Sequence, residues 1–473
     1  MRVPLVLVRA VAAVAIVVAL GGCAAASVQR NLDATSAFAQ RETGVAVALH
    51  ASDDQRQGAE ARARELLAAP LTMDGAVELA LRYSPGFQQM LADSAAASAA
   101  ATQSARLPNP LFEYGRLAAG NILEIDRAVR VSLLDFVLWP QRQRLVGLQQ
   151  TQHRLRSAGD VVATLVDARQ AWVKAVSAAQ SARYAEQVQQ AAEASAELAR
   201  RMQSGGNFSR IERARQQAFY ADATTELART RLEAAATREA LVRQLGLRGD
   251  LAEALTLPER LPDLPPAAEP ESVVAQRAFA DRLDVALARA ELDFTARSLG
   301  LTRVTSTLNA LEVGATSNSV PEEGTLKGYA VEWRLPLFDF GDARRANAQA
   351  VYLAALNRSS QVLAEAYSHV RESYLTYRTA HEVARHYRDE VVPLRKSIAD
   401  ENLLLYSGML ISVFELLADA REQITSVRQA IAAERDYWLA DAALRGTLIG
   451  RPVEGLALGS PIVAPGAGAA APH

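Results

Sequence analysis

ARRMQSGGNFSRIERARQQAF, Ala199–Phe219, joins two alanine-rich helical patterns through a glycine break at Ser204 to Ser209. ENLLLYSGMLISVFELLADA, Glu401–Ala420, does the same through a break at Tyr406 to Ser412. The two hairpins are near copies, running from about Gln141 to Gly246 and from about Asp342 to Gly450. Each outgoing pattern holds about 64 residues, on the order of 95 Å of helix at 1.5 Å per residue, far beyond a helix of an ordinary globular domain. Each returning helix has about 39 residues and the helix ahead of the strands about 22, so the two shorter pieces nearly add up to the long one. A long helix flanked by two shorter ones stacked end to end therefore covers the same distance, with the break between them beside a proline-rich linker.

Composition narrows the function classes. The chain has 473 residues, a net charge of −2 and a 50% hydrophobic share that alanine inflates, and no basic patch offers a case for nucleic acid. Cys23 is the only cysteine, which excludes disulfides and multi-cysteine metal sites. His369, His381 and His386 are not spaced as an i, i+4 ligand pair, so no metal site is expected. Five methionines, one of them Met1, make no copper ladder. With no paired carboxylates, nucleophile elbow or phosphate loop, neither a catalytic residue nor a cofactor is expected.

The first residues read as an export signal. Arg2 and Arg9 flank an apolar run that ends at Leu20, too short for a spanning helix. Leu20-Gly21-Gly22-Cys23 resembles a bacterial lipobox, which makes residues 1–22 a signal peptide and Cys23 the lipidated mature terminus. Ala24 stands where a retention signal would place Asp, pointing to the outer membrane. Residues 23–70 are polar and weakly patterned, an arm packed along the outside of the body. Residues 451–473, rich in Pro, Gly and Ala, are expected to be a disordered tail.

Between these ends the plan repeats, with 71–256 as the first unit of the duplication, 257–270 as a proline-rich linker and 271–450 as the second. Thr72 caps a helix that stops at Ser84-Pro85, and a second helix of small residues runs from about Pro85 to Arg106. After the breaker Leu107-Pro108-Asn109-Pro110, LFEYG reads as turn-rich. RAVRVSLLDF then reads as strand up to Phe136, with Val129, Val131 and Leu133 on one face. A linker, Val137 to Pro140, precedes the long helix, and Gly246 takes the left-handed cap at the end of the returning one. In the second copy a helix from about Glu271 to Thr302 breaks near Asp281-Arg282. VTSTLNALEVGATS is a strand candidate leading through a turn at Pro321 to Gly324 into GYAVEWRLPLF. There Tyr329, Val331, Trp333, Leu335 and Leu337 alternate with Ala330, Glu332, Arg334 and Pro336. Trp139, Trp333 and Tyr329 are candidate membrane-interface anchors, although packing explains Trp139 as well.

The fold class is thus mainly α with a small β part. Two strand pairs give about four strands, whereas a membrane barrel needs about eight or more and tolerates no open edge. Several copies must pool their strands, and a homotrimer would make twelve.

LTMDGAVELALRYSP, SARLPNP, RLEAAATREALVRQLGL, VEWRLPLFDFGDARRANAQA and YSGMLISVFELLADARE, in this order and duplicated, resemble the TolC-like outer-membrane efflux proteins. The likeness is to their lipidated branch, related to OprM, CusC and CzcC, and covers Leu71 to Gly450. It implies a trimer with a twelve-stranded outer-membrane barrel and a helical periplasmic tunnel, docked to a periplasmic adaptor protein and served by an inner-membrane pump. It assigns adaptor contact to the tips, here Gly205 and Ser209, then Tyr406, Gly408 and Ser412. Glu415 and Asp419, with Glu212 as first-copy analogue, resemble the acidic positions that constrict the closed mouth; solvated helix-surface acids are the competing reading. The function expected is passive conduction out of the periplasm. The alternatives are a lipidated coiled-coil scaffold that transports nothing and the duct of a type I protein-secretion system. Substrate is not legible.

Overall fold

In the computed structural model the described residues are 26–119, 122–280, 282–305, 311–320, 324–333, 337–408 and 410–452. Cys23, the signal segment, Asp281, the Pro321–Glu323 turn, Leu335, Pro336 and the tail from 453 lie outside them. The first helices are α1 (residues 26–43), α2 (Asp53–Leu67), α3 (Met73–Arg82) and α4 (Pro85–Ser104). Strands β1 (Leu111–Ala119) and β2 (Ile122–Ser132) follow, then α5 (Leu133–Ser204), α6 (Arg210–Leu245) and a short α7 (Asp250–Glu253). The second copy runs α8 (Glu271–Ala280), α9 (Leu283–Thr305), β3 (Leu311–Val320), β4 (Gly324–Trp333), α10 (Asp342–His386), α11 (Val392–Ser407) and α12 (Val413–Ile449). A π-helical turn, Tyr387–Val391, joins α10 to α11. Pro393 lies just beyond it, and a missing N–H there breaks the regular ladder, which the wider turn accommodates. The chain is therefore mainly helical with one four-stranded antiparallel sheet in the order β1-β2-β3-β4.

The chain divides into two compact units, each built from both halves of the duplication. One comprises residues up to Phe38, Met90–Ala158 and Leu283–Glu365, and holds the sheet. Its helices approach through small polar groups. Asn31 Nδ2 donates to Ser94 Oγ at 2.9 Å, Ser94 pairs with Ser157 at 2.5 Å, and buried Gln150 bonds Ser98 at both ends, 2.8 and 2.9 Å. Gln152 Nε2 donates to the Ala290 carbonyl at 3.0 Å. The small residues of α4 are what allow these short side chains to meet.

The other unit comprises Ala39–Gln89, Gly159–Arg282 and the chain from Ala366. Its core gathers Leu71, Leu79, Leu81, Val161, Val162, Val173, Leu241 and Leu245 around Trp172, whose indole N–H donates to the Leu71 carbonyl at 2.7 Å. A second cluster of Tyr374, Tyr377, Tyr437, Ala440 and Leu444 closes over the proline-rich linker. Aromatic heads hold that linker: Tyr374 donates to the Glu269 carbonyl at 3.2 Å and Trp438 to the Pro262 carbonyl at 3.1 Å, while His381 Nε2 meets the Pro265 carbonyl at 2.9 Å.

The stacked-helix arithmetic has a physical joint. Gly246 caps α6 at φ 71°, and a Cβ there would stand 2.2 Å from Pro85 Cδ, the first residue of α4. Ser84 Oγ also donates to the Gln244 carbonyl at 3.3 Å. In the second copy Arg282, just ahead of α9, donates to the Thr447 carbonyl near the end of α12 at 2.9 Å, and Gly450 caps that helix at φ 101°.

Several expected boundaries move. LFEYG is strand, not turn: Gly115 sits in register opposite Asp126, and pairing with β2 overrides the turn signal of one glycine. Leu133–Phe136 is helix, because Ser132 Oγ caps the Asp135 N–H at 3.3 Å and Asp135 pairs Arg142 at 2.6 Å. The long helix thus begins before Pro140, which costs it only the bond to the Phe136 carbonyl, on a half-exposed residue. Val304 and Thr305 end α9 rather than opening β3, and Leu337 falls in a bend beyond β4. The arm contributes two helices. In α1 the buried positions Ser27, Asn31, Thr35 and Ala39 recur every four residues, a stripe of small and polar side chains that a hydrophobic pattern does not reveal.

Candidate functional site

Sorting the sheet by register separates two chemistries. Antiparallel partners share a face, so Phe112, Val129, Ala315 and Tyr329 lie in one row. Beside it on the same face run the row Val131, Val313, Val331 and then the pair Leu311 and Trp333. The opposite face carries every carboxylate of the four strands: Glu113, Glu124, Asp126, Glu312 and Glu332. Its one cation, Arg130, is held by Glu113 at 2.8 Å and Glu332 at 3.6 Å. To reach Glu332 on β4 the Arg130 side chain crosses β3 at Gly314, where a Cβ would lie 2.9 Å from Arg130 Cγ. One face is thus mainly aromatic and aliphatic, interrupted by Arg116, Arg127 and Lys327, and the other holds all the strand carboxylates, with Leu111, Leu117 and Leu326 exposed among them.

The strands are 9, 11, 10 and 10 residues long, the length that crosses a bilayer at a tilt. Outer edges β1 and β4 have no further strand partner among the described residues. The apolar face is exposed, Tyr329 by 83% and Phe112 by 63%. At the helix end of the strands Trp139, Leu337, Phe338 and Phe340 are exposed too, alongside Trp333. No helix among the described residues is long and apolar enough to cross a membrane.

The two hairpin tips are built differently. In the first, Gly206 at φ 81° makes the left-handed turn, so the glycine that the backbone requires is Gly206 and not Gly205. Ser209 caps α6 reciprocally with Glu212: the Glu212 N–H donates to Ser209 Oγ at 3.2 Å and the Glu212 carboxylate accepts the Ser209 N–H. Those bonds hold the Glu212 carboxyl below the usual carboxylate range. In the second, Ser412 and Glu415 form the same box, with bonds of 3.1 and 3.4 Å. Gly408 there has φ −80°, and an added Cβ would find only ordinary contacts from 3.5 Å, so neither backbone nor space demands glycine. Leu404, Tyr406 and Leu410 expose apolar surface around it. Asp419 accepts from Asn402 Nδ2. Among the described residues no group of His, Cys, Asp and Glu is arranged to hold a metal ion, and His381 is occupied by the linker.

No family model matches the chain, and no curated protein is significantly similar to it. Solved structures do match. A membrane protein from Pseudomonas aeruginosa superposes with a TM-score of 0.67 at 18% identity, covering 80% of this chain and 93% of that one. The outer membrane protein VceC from Vibrio cholerae gives 0.64 at 14%, over 80% and 96%. The Campylobacter jejuni CmeC outer membrane channel gives 0.67 at 13%, over 81% and 87%.

The chain has the TolC-like outer-membrane channel fold.

Within this channel fold, the expected mainly helical architecture with four strands is present. The alternation is plain in the sequence of β4, whereas LFEYG in β1 carries a turn signal, and only the register brings Phe112 into one row with Val129 and Tyr329.

Proposed function

We propose that this chain is the outer-membrane exit channel of a tripartite efflux system, conducting small molecules or ions passively from periplasm to exterior. The observation that carries this reading is the sheet: aromatic and aliphatic rows on one face, every strand carboxylate on the other, and two edges with no strand partner among the described residues. In hydrocarbon an open edge leaves backbone groups unpaired at several kcal/mol each, so copies must close the ring. Three chains of four strands make a twelve-stranded barrel with the acidic face lining the lumen. An exposed stripe on α10, Leu353, Leu356, Leu363 and Tyr367, fits a neighbouring copy of the same helix set.

The periplasmic mouth is assigned to the tips, with Gly205, Ser209, Tyr406, Gly408 and Ser412 meeting a periplasmic adaptor coupled to an inner-membrane pump. Gly408 supports this assignment because its backbone does not account for it and exposed Leu410 stands beside it. Glu212, Glu415 and Asp419 are proposed to narrow that mouth, the first two while capping their own helices. Cys23 is proposed to carry the lipid anchor; palmitate labelling that survives Cys23→Ser would refute it. The channel needs no cofactor and performs no chemistry.

Reconstitution into planar bilayers tests the main reading. Stepwise conductance is expected. A protein that binds membranes without conducting would instead be a lipidated scaffold. Loss of drug or metal tolerance in a deletion strain, with protein secretion intact, separates efflux from a type I secretion duct.

A further inference from the structure

We infer that Arg116, Arg127 and Lys327 form a cationic seat on the outside of the sheet for the phosphates of a membrane-lipid headgroup. This rests on the reading of the sheet as membrane-inserted. The four strands carry four cations, Arg116, Arg127, Arg130 and Lys327. Arg130 is on the acidic face and is paired there, whereas the other three lie on the apolar face. All three are exposed, and among the described residues none of their side chains makes an ion pair or hydrogen bond.

They are also gathered in one place. Arg127 on β2 and Lys327 on β4 share a row, with Ser317 of β3 between them, about 10 Å apart at two strand spacings. Arg116 on β1 is the diagonal neighbour of Arg127, roughly 7–8 Å away. Ser319 and Thr325, hydroxyls 3.1 Å apart, lie in the next row toward the turn. No carboxylate of the strands shares this face. Of the six rows on this face the cations occupy the second and third from the turn end, with Ala118 and Leu123 beyond them and the apolar rows up to Leu311 and Trp333 on the helix side.

Three unpaired cations facing hydrocarbon would be costly, up to about 2–4 kcal/mol each at the bilayer midplane. At the headgroup level the cost becomes attraction. Arg and Lys donate to phosphate oxygens, and the serine and threonine hydroxyls add neutral donors. A free phosphate would gain nothing from the apolar rows that continue from the same cations. A lipid uses both, its phosphates on the cations and its acyl chains along Phe112, Val129 and Tyr329. The turn end is the end away from the helices, so the leaflet concerned is the one facing the exterior.

The test uses the full chain in phosphatidylcholine vesicles containing either bis-phosphorylated lipid A or its dephosphorylated form. After a detergent wash, retained glycolipid is counted per chain by mass spectrometry, and conductance is recorded for each protein. Wild type is expected to keep the phosphorylated lipid preferentially. Arg116→Gln, Arg127→Gln and Lys327→Gln are each expected to lower retention about fivefold, and the triple variant to abolish the preference while still conducting. Arg127→Lys is expected to keep it. Equal retention by wild type and the conducting single or triple variants would overturn the inference and leave the channel reading standing. Equal retention of both lipids by wild type would do the same. A wild type that neither inserts nor conducts would remove the membrane reading, and the inference with it.

Discussion

Gly246 and Gly408 end helices in corresponding hairpins for opposite physical reasons. Gly246 has φ 71° with Pro85 against it, so Gly246→Ala meets both left-handed strain and overlap. The expected loss is about 2–4 kcal/mol, read as a lower unfolding midpoint of the detergent-solubilised chain. Gly408→Ala is expected to change stability by less than about 0.5 kcal/mol yet to reduce efflux in cells, because the added methyl points into the surface assigned to the adaptor. Full efflux in that variant would remove Gly408 from the contact. At the first tip, the Ser209 N–H lowers the pKa of the Glu212 carboxyl. A lowered folded value means that the cap contributes above the ordinary carboxylate range and is lost as pH falls through the folded value. Amide protection at residues 209–213 should therefore fall in acid, and Glu212→Gln should flatten that dependence; protection independent of pH in wild type would contradict it.

Among the elements, the sheet makes the most discriminating prediction, because its faces differ while its strands do not. Val331→Arg places a charge in the apolar rows and is expected to cost about 2–4 kcal/mol in a bilayer. Glu312→Gln, on the acidic face, is expected to leave folding nearly unchanged and to shift ion selectivity toward anions. Heat-modifiable migration on gels measures the first and reversal potentials the second; equal effects of the two changes would mean that the faces are not sorted by lipid and lumen. The same element shows how far patterning reads. Tyr329, Val331 and Trp333 alternate plainly with Ala330 and Glu332 in the sequence. Leu111 to Gly115 does not read as strand in the sequence, since a nearby proline breaker and one glycine outweigh a five-residue alternation until β2 supplies the pairing.

For the whole molecule, the duplication matters more than any residue. Each copy supplies one long helical stretch and two shorter helices. In the first the expected near-equality of length does not hold, the long helix having 72 residues against 36 and 20, because it starts at Leu133, ahead of the expected Gln141, and both shorter helices end sooner. The joint at Gly246 and Pro85 has a counterpart at Thr447 and Arg282, made with different side chains for the same geometric need. Native mass spectrometry of the solubilised protein is expected to show three chains. A stable monomer that still conducts would refute closure by pooled strands.

What the sequence by itself determined was the helices of the two hairpins, their breaks and their repetition. Alanine-rich runs, capping serines and break glycines act within one or two turns, so Ser209, Ser412 and Gly246 announce the hairpin ends without help from the rest of the chain. What only the tertiary structure decided was which residues meet across the chain. The α1 stripe of Ser27, Asn31 and Thr35 has no hydrophobic signature, because its burial comes from close approach to small residues such as Ser94 and not from apolar area. The separation of the sheet into an acidic and an apolar face depends on register, and a slip of one residue exchanges the faces. That register is set by pairing between strands nearly 200 residues apart, Val129 with Ala315 among them, which no local pattern contains.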